Sequence, residues 1–156
     1  MICLGAATAL AQLSHLEIRP VLQETELENR VVDRYFYPRP PSRESDQTIP
    51  VEKKVILNEA DVLMVLVRRA NRTPLTEGVQ FRLMLSREGI SRIQEYFKQR
   101  PQGYVAIFYG DKLLQVQRPG IEVQKGQLSF YSAYHVTDEQ AQEFLDELGV
   151  KYEFID

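Results

Sequence analysis

Residues 79–99, VQFRLMLSREGISRIQEYFKQ, change their hydrophobic period halfway along and thereby indicate the fold class. Apolar and polar residues alternate over 79–85, which predicts a β-strand with one buried and one solvated face. Ser86 follows as a typical helix N-cap. The apolar residues beyond it keep the i, i+3, i+7 spacing of an amphipathic helix, and they are Ile90, Ile93 and Phe97. A strand followed directly by a capped helix is typical of a protein that packs helices on a sheet.

A second helix is predicted between Thr137 and Gly149, after the strand sequence GQLSFYSAYHV. Thr137 and Gln140 have the spacing of a capping box, in which each side chain accepts a hydrogen bond from the other residue's backbone N–H. The expected buried face consists of Phe144, Leu145 and Leu148. Gly149 suits the position just past the helix end, where a left-handed residue is common.

The stretch IFYGDKLLQV, residues 107–116, is predicted to be a β-hairpin. Its two apolar runs flank Gly110 and Asp111, which would form a two-residue loop. Because glycine comes first, the turn is predicted to be type II′, with a positive φ at Gly110 and not at Asp111. A reactive role for Asp111 with Lys112 is the less favoured alternative, because catalysis would need a second acid, a nucleophile or a metal that the sequence does not place nearby.

The rest of the pattern divides the chain into four segments. Residues 1–36 hold an N-terminal segment and a strand, HLEIRPV, whose Pro20 favours a sheet edge. Residues 37–50, YPRPPSRESDQTIP, are predicted to be a proline-rich linker. Residues 51–148 form the main domain, and 149–156 form a closing strand. Strands with two amphipathic helices predict the α+β class, with both helices on one face of a mainly antiparallel sheet.

Composition excludes several kinds of site. A formal net charge of -3 gives no basic footprint, which argues against nucleic acid as the partner. The single cysteine, Cys3, excludes an internal disulfide and a thiolate metal cluster. The two histidines, His15 and His135, are too few for a histidine-rich metal site. His135 is expected to be a hydrogen-bonded structural residue, because no nucleophile signature accompanies it. We therefore predict neither an enzyme nor a cofactor.

The N-terminal residues 1–12, MICLGAATALAQ, are apolar and end in a sequence like a signal-peptide cleavage site. A cleaved signal, the end of a buried helix and a mis-assigned start all stay open as interpretations, because no basic residue precedes the apolar run. Spanning a bilayer takes about 20 apolar residues, which is more than any stretch of this chain supplies.

Three aromatic residues, Phe130, Tyr131 and Tyr134, make the most distinctive candidate surface. Strand alternation would put Phe130 and Tyr134 on one face and Tyr131 on the other. Core packing explains most of such a pattern, but at least one ring is expected to be exposed. Tyr131 and Tyr134 are therefore the candidate contacts for a polypeptide partner.

Four stretches occur in an order that resembles a known family, and they are VILNEADV, VQFRLMLSREGISRIQEYF, YVAIFYGDKLLQ and GQLSFYSAYHVTDEQAQEFLDELG. The series resembles the head of the first large periplasmic domain of SecD, the accessory subunit of the bacterial protein-export channel. HLEIRPV and LGVKYEFI resemble its flanking strands. The resemblance implies an extracytoplasmic domain with a ferredoxin-like base and an inserted head at residues 51–148. The chain departs from the family at Gly110-Asp111, where members have Asp-Gly, and in having no counterpart of the SecD transmembrane helices.

The resemblance implies a non-enzymatic module that contacts unfolded or translocating polypeptide, with components of the Sec translocon as further partners. Exposed sheet edges can take up an extended peptide through main-chain hydrogen bonds, with little demand on its sequence. The alternative hypothesis is a structural or assembly module whose sheet edges pair with a partner chain or with a second copy.

Overall fold

A computed structural model of the chain describes residues 15–27, 32–38, 47–69, 78–132, 134–135 and 137–155. The described residues form ten strands and two α-helices. The strands are β1 (Leu16–Val21), β2 (Asp33–Phe36), β3 (Thr48–Val51), β4 (Leu57–Asn58), β5 (Val62–Arg69), β6 (Val79–Leu85), β7 (Tyr104–Tyr109), β8 (Lys112–Gln117), β9 (Gln127–Tyr131) and β10 (Tyr152–Ile155). The helices are α1 (Arg87–Gln99) and α2 (Asp138–Leu148). The predicted α+β class is confirmed.

The strands divide into two sheets. The first is antiparallel, with the order β2-β3-β1-β7-β8 and with β4 also paired to β1. The second has the order β10-β5-β6-β9, and its one parallel pair is β10 with β5. The two strands that resemble the flanking strands of the SecD head lie in different sheets, because β1 belongs to the first and β10 to the second.

One apolar cluster is shared by both sheets and both helices. Phe81 of β6 lies near its centre, is fully buried, and stacks on Phe130 of β9 at a centroid distance of 5.2 Å. Phe144 of α2 meets the same ring edge-on at 5.3 Å. Ile93 of α1 is also fully buried in this cluster. Burying a large apolar side chain contributes about 1.5–3 kcal/mol, so this shared core is what holds the layers together.

A second, smaller cluster lies on the opposite face of the first sheet, and it comprises Val51, Ala106, Phe108, Leu113 and Val116. Phe108 meets Tyr35 edge-on at 4.7 Å, and the guanidinium of Arg19 lies 5.1 Å from its ring centroid. The first sheet is therefore packed on both faces, which explains why β7 is a nearly continuous apolar run.

A β-bulge in β8 redirects a polar side chain. Ile107 lies opposite Gln115 and Phe108 lies opposite Leu113, which leaves Leu114 without a partner in β7. Because directly opposed residues share a face, Gln115 lies on the face of Ile107, the one that packs into the shared core. The bulge thus brings the Gln115 amide to the side of the second sheet.

The predicted capping residues of both helices are confirmed. Ser86 Oγ accepts a hydrogen bond from Gly89 N at 3.1 Å and caps α1. Thr137 and Gln140 exchange side-chain to backbone hydrogen bonds of 3.2 Å each, as the capping box requires. Gly149 follows α2 with φ +71°. These signals are local, so each follows directly from residues a few positions apart.

The predicted hairpin is also confirmed. Tyr109 pairs with Lys112, so Gly110 and Asp111 form a two-residue loop between β7 and β8. Gly110 has φ +60°, as predicted. Its backbone N–H donates to the carbonyl of His15 at 2.7 Å, which ties the turn to the start of β1.

The prediction that Pro20 marks an edge strand is wrong. β1 is an interior strand, with β7 along one side and β3 and β4 along the other. Ile18 and Pro20 accept hydrogen bonds on that second side, from Ile56 N and Glu52 N. The proline nitrogen therefore faces the interruption between β3 and β4, where its missing N–H removes no ladder hydrogen bond.

The linker prediction for residues 37–50 is wrong at its C-terminal end. Residues 48–50 belong to β3, which pairs with both β2 and β1. The next residue of β3, Val51, is fully buried. Residues 39–46 lie outside the described part of the chain. Pro50 is a linker signal in the sequence, but in the structure its carbonyl accepts a hydrogen bond from Leu22 N at 3.0 Å.

Candidate functional site

The two candidate tyrosines are exposed, Tyr131 through the predicted strand alternation and Tyr134 for a different reason. Phe130 is 1% exposed, whereas Tyr131 is 45% and Tyr134 is 46% exposed. The strand ends at Tyr131, so alternation does not extend to Tyr134, and its predicted placement on the face of Phe130 is wrong. Ser132 causes the change of direction, since its Oγ accepts a hydrogen bond from Tyr134 N at 3.2 Å. The Nζ of Lys112 then lies 5.8 Å from the Tyr134 ring centroid.

The outer edge of β9, which carries Tyr131, is closed by side chains. Tyr131 N donates to Gln115 Oε1 at 2.5 Å, and Ser129 N donates to Glu122 Oε1 at 3.2 Å. Gln115 belongs to β8, and Glu122 lies in the segment between β8 and β9. A peptide could add to this edge only by displacing them, because the outward amides of a strand are the groups that strand addition requires. No local sequence signal marks either contact.

The outer edge of β10, at the other side of the same sheet, is open with respect to the residues that the structure describes. The Lys151 carbonyl accepts a hydrogen bond from Val65 N of β5 at 2.8 Å. Because backbone groups alternate sides along a strand, Tyr152 and Phe154 direct their N–H and C=O groups away from β5. No hydrogen bond reaches those groups from the part of the chain that the structure describes.

Apolar surface flanks the open edge. Phe154 is 41% and Leu63 of β5 is 62% exposed. A cavity of about 520 Å³ lies beside the beginning of β10, where α2 ends and β5 begins. Its lining includes the apolar Leu63, Leu148 and Val150 and the charged Glu59 and Lys151. Main-chain groups and apolar side chains thus lie together, as a strand-addition site needs.

Tyr152 holds β10 in place from the inner face. Its ring packs against the shared core, and its hydroxyl donates to Asp146 Oδ1 of α2 at 2.8 Å. That hydrogen bond raises the pKa of Tyr152, with burial adding to it. The strand is therefore fixed by β5 on one side and by α2 on its inner face, which leaves its outer edge preorganised.

Ser132 and His135 form a structural pair at the start of α2. Ser132 Oγ lies 2.7 Å from His135 Nδ1, and since Oγ also accepts from Tyr134 N, its own proton is free to be donated to Nδ1. Burial, followed by the charge of Lys112, lowers the pKa of His135, while Glu147 opposes the shift. Ser132 is 4% exposed, so its hydroxyl is inaccessible to a substrate. The geometry is that of the hydrogen-bonded structural histidine expected from the sequence.

Lowering the pH should weaken the fold through His135. Its pKa is lowered in the folded chain, so the unfolded state binds more protons between that value and the usual value of about 6.5. The free energy of unfolding should therefore fall as the pH drops through this window, measured by urea denaturation. His135→Gln should lose this component, and His15→Gln, at an exposed histidine, should keep it. Equal slopes in the parent and His135→Gln would contradict the assignment.

Tyr109, at the end of β7, is held by α2. Its hydroxyl donates to a carboxylate oxygen of Glu147, and its ring meets Phe144 edge-on at 4.9 Å. Burial and this hydrogen bond raise the pKa of Tyr109 to about 12. Tyr109 is thus an anchor between the hairpin and α2.

The described residues contain no group of three or more histidine, cysteine, aspartate or glutamate side chains arranged to hold a metal ion. None of their helices has the length and apolar character needed to cross a membrane.

No protein-family model matches the chain, and a search of curated proteins finds no matching sequence. The likeness to SecD therefore rests on the four sequence stretches and their order alone.

Proposed function

We propose that this chain is a non-enzymatic module that binds an extended polypeptide strand along the edge of β10. One observation carries the proposal. Tyr152 and Phe154 direct outward backbone groups that no described residue pairs, whereas Gln115 and Glu122 accept hydrogen bonds from the outward amides of β9. An extended peptide satisfies such an edge regardless of its own sequence, since the hydrogen bonds come from its main chain.

The open edge is short, which sets the expected affinity. Tyr152 and Phe154 offer two N–H donors and two C=O acceptors, and each new hydrogen bond contributes about 0.5–1.5 kcal/mol net. Contacts with the exposed Phe154 and Leu63 add to this, while the loss of translational and rotational freedom opposes it. We expect a dissociation constant of about 100 μM, which corresponds to about -5.5 kcal/mol. Such binding suits brief contact with many different clients.

The client class is inferred from the resemblance to the SecD periplasmic domain. We infer that the polypeptide is unfolded or translocating, that it is met outside the cytoplasm, and that the Sec translocon delivers it. The order of VILNEADV, VQFRLMLSREGISRIQEYF, YVAIFYGDKLLQ and GQLSFYSAYHVTDEQAQEFLDELG supports this inference. Tyr131 and Tyr134 lie at or beyond the opposite edge of the sheet, and binding at β10 does not require them.

Substituting proline in β10 should abolish the binding. Phe154→Pro removes an outward N–H and obstructs the edge, so the affinity for a fluorescently labelled, unfolded secretory polypeptide should fall at least about tenfold in an anisotropy titration. The double variant Tyr131→Ala/Tyr134→Ala is the matched control and should bind like the parent. Circular dichroism would establish that both variants are folded.

A second measurement uses the parent alone, so it does not depend on the folding of a variant. Saturating polypeptide should slow amide hydrogen exchange at Tyr152 and Phe154. β2 is an outer strand of the first sheet. Protection of β2 in place of β10 would show that the polypeptide binds at β2. No binding by the parent at about 100 μM, or loss of binding only in the tyrosine variant, would overturn the proposal.

A further inference from the structure

We propose that the edge of β10, besides taking up an extended polypeptide, pairs with β10 of a second copy of this chain, antiparallel about a two-fold axis at Tyr152. The inference rests on the proposed function, because it uses the same edge. It adds a second copy of the chain as a partner and gives the register of the pairing. A two-fold interface must be self-complementary, so each residue of the strand must suit its symmetry mate.

The sequence VKYEF, residues 150–154, meets this condition about its centre. With Tyr152 opposite Tyr152 of the second copy, Lys151 lies opposite Glu153 in both halves of the pair. Val150 then lies opposite Phe154, so an apolar residue meets an apolar one. Opposite charges and apolar pairs directly across an antiparallel ladder are stabilising.

The hydrogen-bond geometry fits the same register. Tyr152 directs its backbone groups outward, so the two copies of Tyr152 form a hydrogen-bonded pair. Lys151 and Glu153 then fall in the non-hydrogen-bonded positions, where opposed side chains are closest. Both side chains are exposed, and neither forms an ion pair within the part of the chain that the structure describes. They are therefore free to pair across the axis.

Neighbouring registers are disfavoured by charge. An axis at Glu153 places Glu153 directly opposite its own copy, and like charges in that position are destabilising. An axis at Phe154 places Glu153 opposite Ile155 and leaves the carboxylate without a basic partner. Charge thus selects the register centred on Tyr152.

Pairing would remove the open edge from both copies. Two four-stranded sheets would become one continuous sheet with β9 at each outer side, and the β9 edges are already closed by Gln115 and Glu122. The exposed ring of Phe154 would pack against Val150 of the second copy. An unpaired sheet edge tends to pair non-specifically with strands of other chains, and pairing with a defined partner prevents this.

Charge reversal tests the register and the partner together. Lys151→Glu and Glu153→Lys each bring like charges together in the self-pair, so the dimer dissociation constant should rise about tenfold, or about 1.4 kcal/mol, in analytical ultracentrifugation. An equimolar mixture of the two variants restores both opposite-charge pairs and should form a heterodimer with about the parent's affinity. The double variant Lys151→Glu/Glu153→Lys should dimerise like the parent. Both positions are exposed, so the variants should keep the fold.

The outcomes separate this inference from the proposed function. A parent that stays monomeric at about 1 mM, or single variants that dimerise like the parent, would overturn the self-pairing. The charge variants should still bind an unfolded polypeptide, because strand addition uses main-chain groups. A monomeric parent that binds unfolded polypeptide would refute the dimer and leave the proposed function standing, and a parent that binds neither would refute both.

Discussion

Phe81→Ala is expected to destabilise the fold by about 3–5 kcal/mol, the cost typical of removing a fully buried phenylalanine. The ring of Phe81 has no exposed surface and contacts Phe130 of β9 and Phe144 of α2. Its removal would leave a cavity at the point where the second sheet and α2 meet. Urea denaturation monitored by circular dichroism would measure the loss. A small domain has about 5–15 kcal/mol in total, so the variant should be close to unfolded at elevated temperature.

Phe36→Ala is the matched control for this substitution. The Phe36 ring is 69% exposed, so the same truncation should change the free energy of unfolding by less than about 0.5 kcal/mol. A loss below about 1 kcal/mol in Phe81→Ala would show that the surrounding side chains collapse into the space, which would contradict a rigid junction between the layers.

The parts of the fold that the sequence predicted are those with local signals. The caps of α1 and α2, such as Ser86 and the Thr137–Gln140 box, depend on residues three apart in the chain. The hairpin depends on Gly110 and the alternating residues beside it. Each of these elements has its own geometric requirement, and one or two residue types meet it.

The division into two sheets could not be predicted, because it depends on pairings between distant residues. Leu16 pairs with Tyr109, and Tyr152 pairs with Val65. β2, β3 and β4 are two to four residues long, which is too short for a recognisable period. Pro50 in β3 added a misleading turn signal.

The edge of β10 could not be recognised from the sequence for a related reason. Aromatic residues such as Tyr131 and Tyr134 are conspicuous in a sequence. The accessibility of the backbone is not visible there, and it is set by Gln115 and Glu122, which reach β9 from another segment. The alternating apolar residues of β10 were visible, but whether its edge is open depends on which strands pair with it and on which side.

Gly126→Ala is expected to cost about 2–3 kcal/mol, measured by urea denaturation. Gly126 has φ +76°, and a side chain in the left-handed region costs about 1–2 kcal/mol. An added Cβ would also lie 2.6 Å from Ile90 Cδ1 of α1, and turning Ile90 out of its rotamer costs about 0.5–1.5 kcal/mol more. Gly126 immediately precedes β9, and its carbonyl accepts a hydrogen bond from Leu85 N of β6 at 3.0 Å, so the strain acts directly on the pairing of β9 with β6.

Gly110→Ala separates the cost of the left-handed backbone from the cost of the contact with Ile90. Gly110 has φ +60° but no atom within 4 Å of an added Cβ, so its replacement should cost only the left-handed term of about 1–2 kcal/mol.

Ile90→Val removes the Cδ1 atom. A double-mutant cycle should therefore show that the Gly126→Ala cost is smaller in the Ile90→Val background, with a coupling of about 0.5–1.5 kcal/mol. Additive effects would mean that α1 yields to the new methyl group, and the junction between α1 and β9 would then be less rigid than the packing of Ile90 against Gly126 indicates.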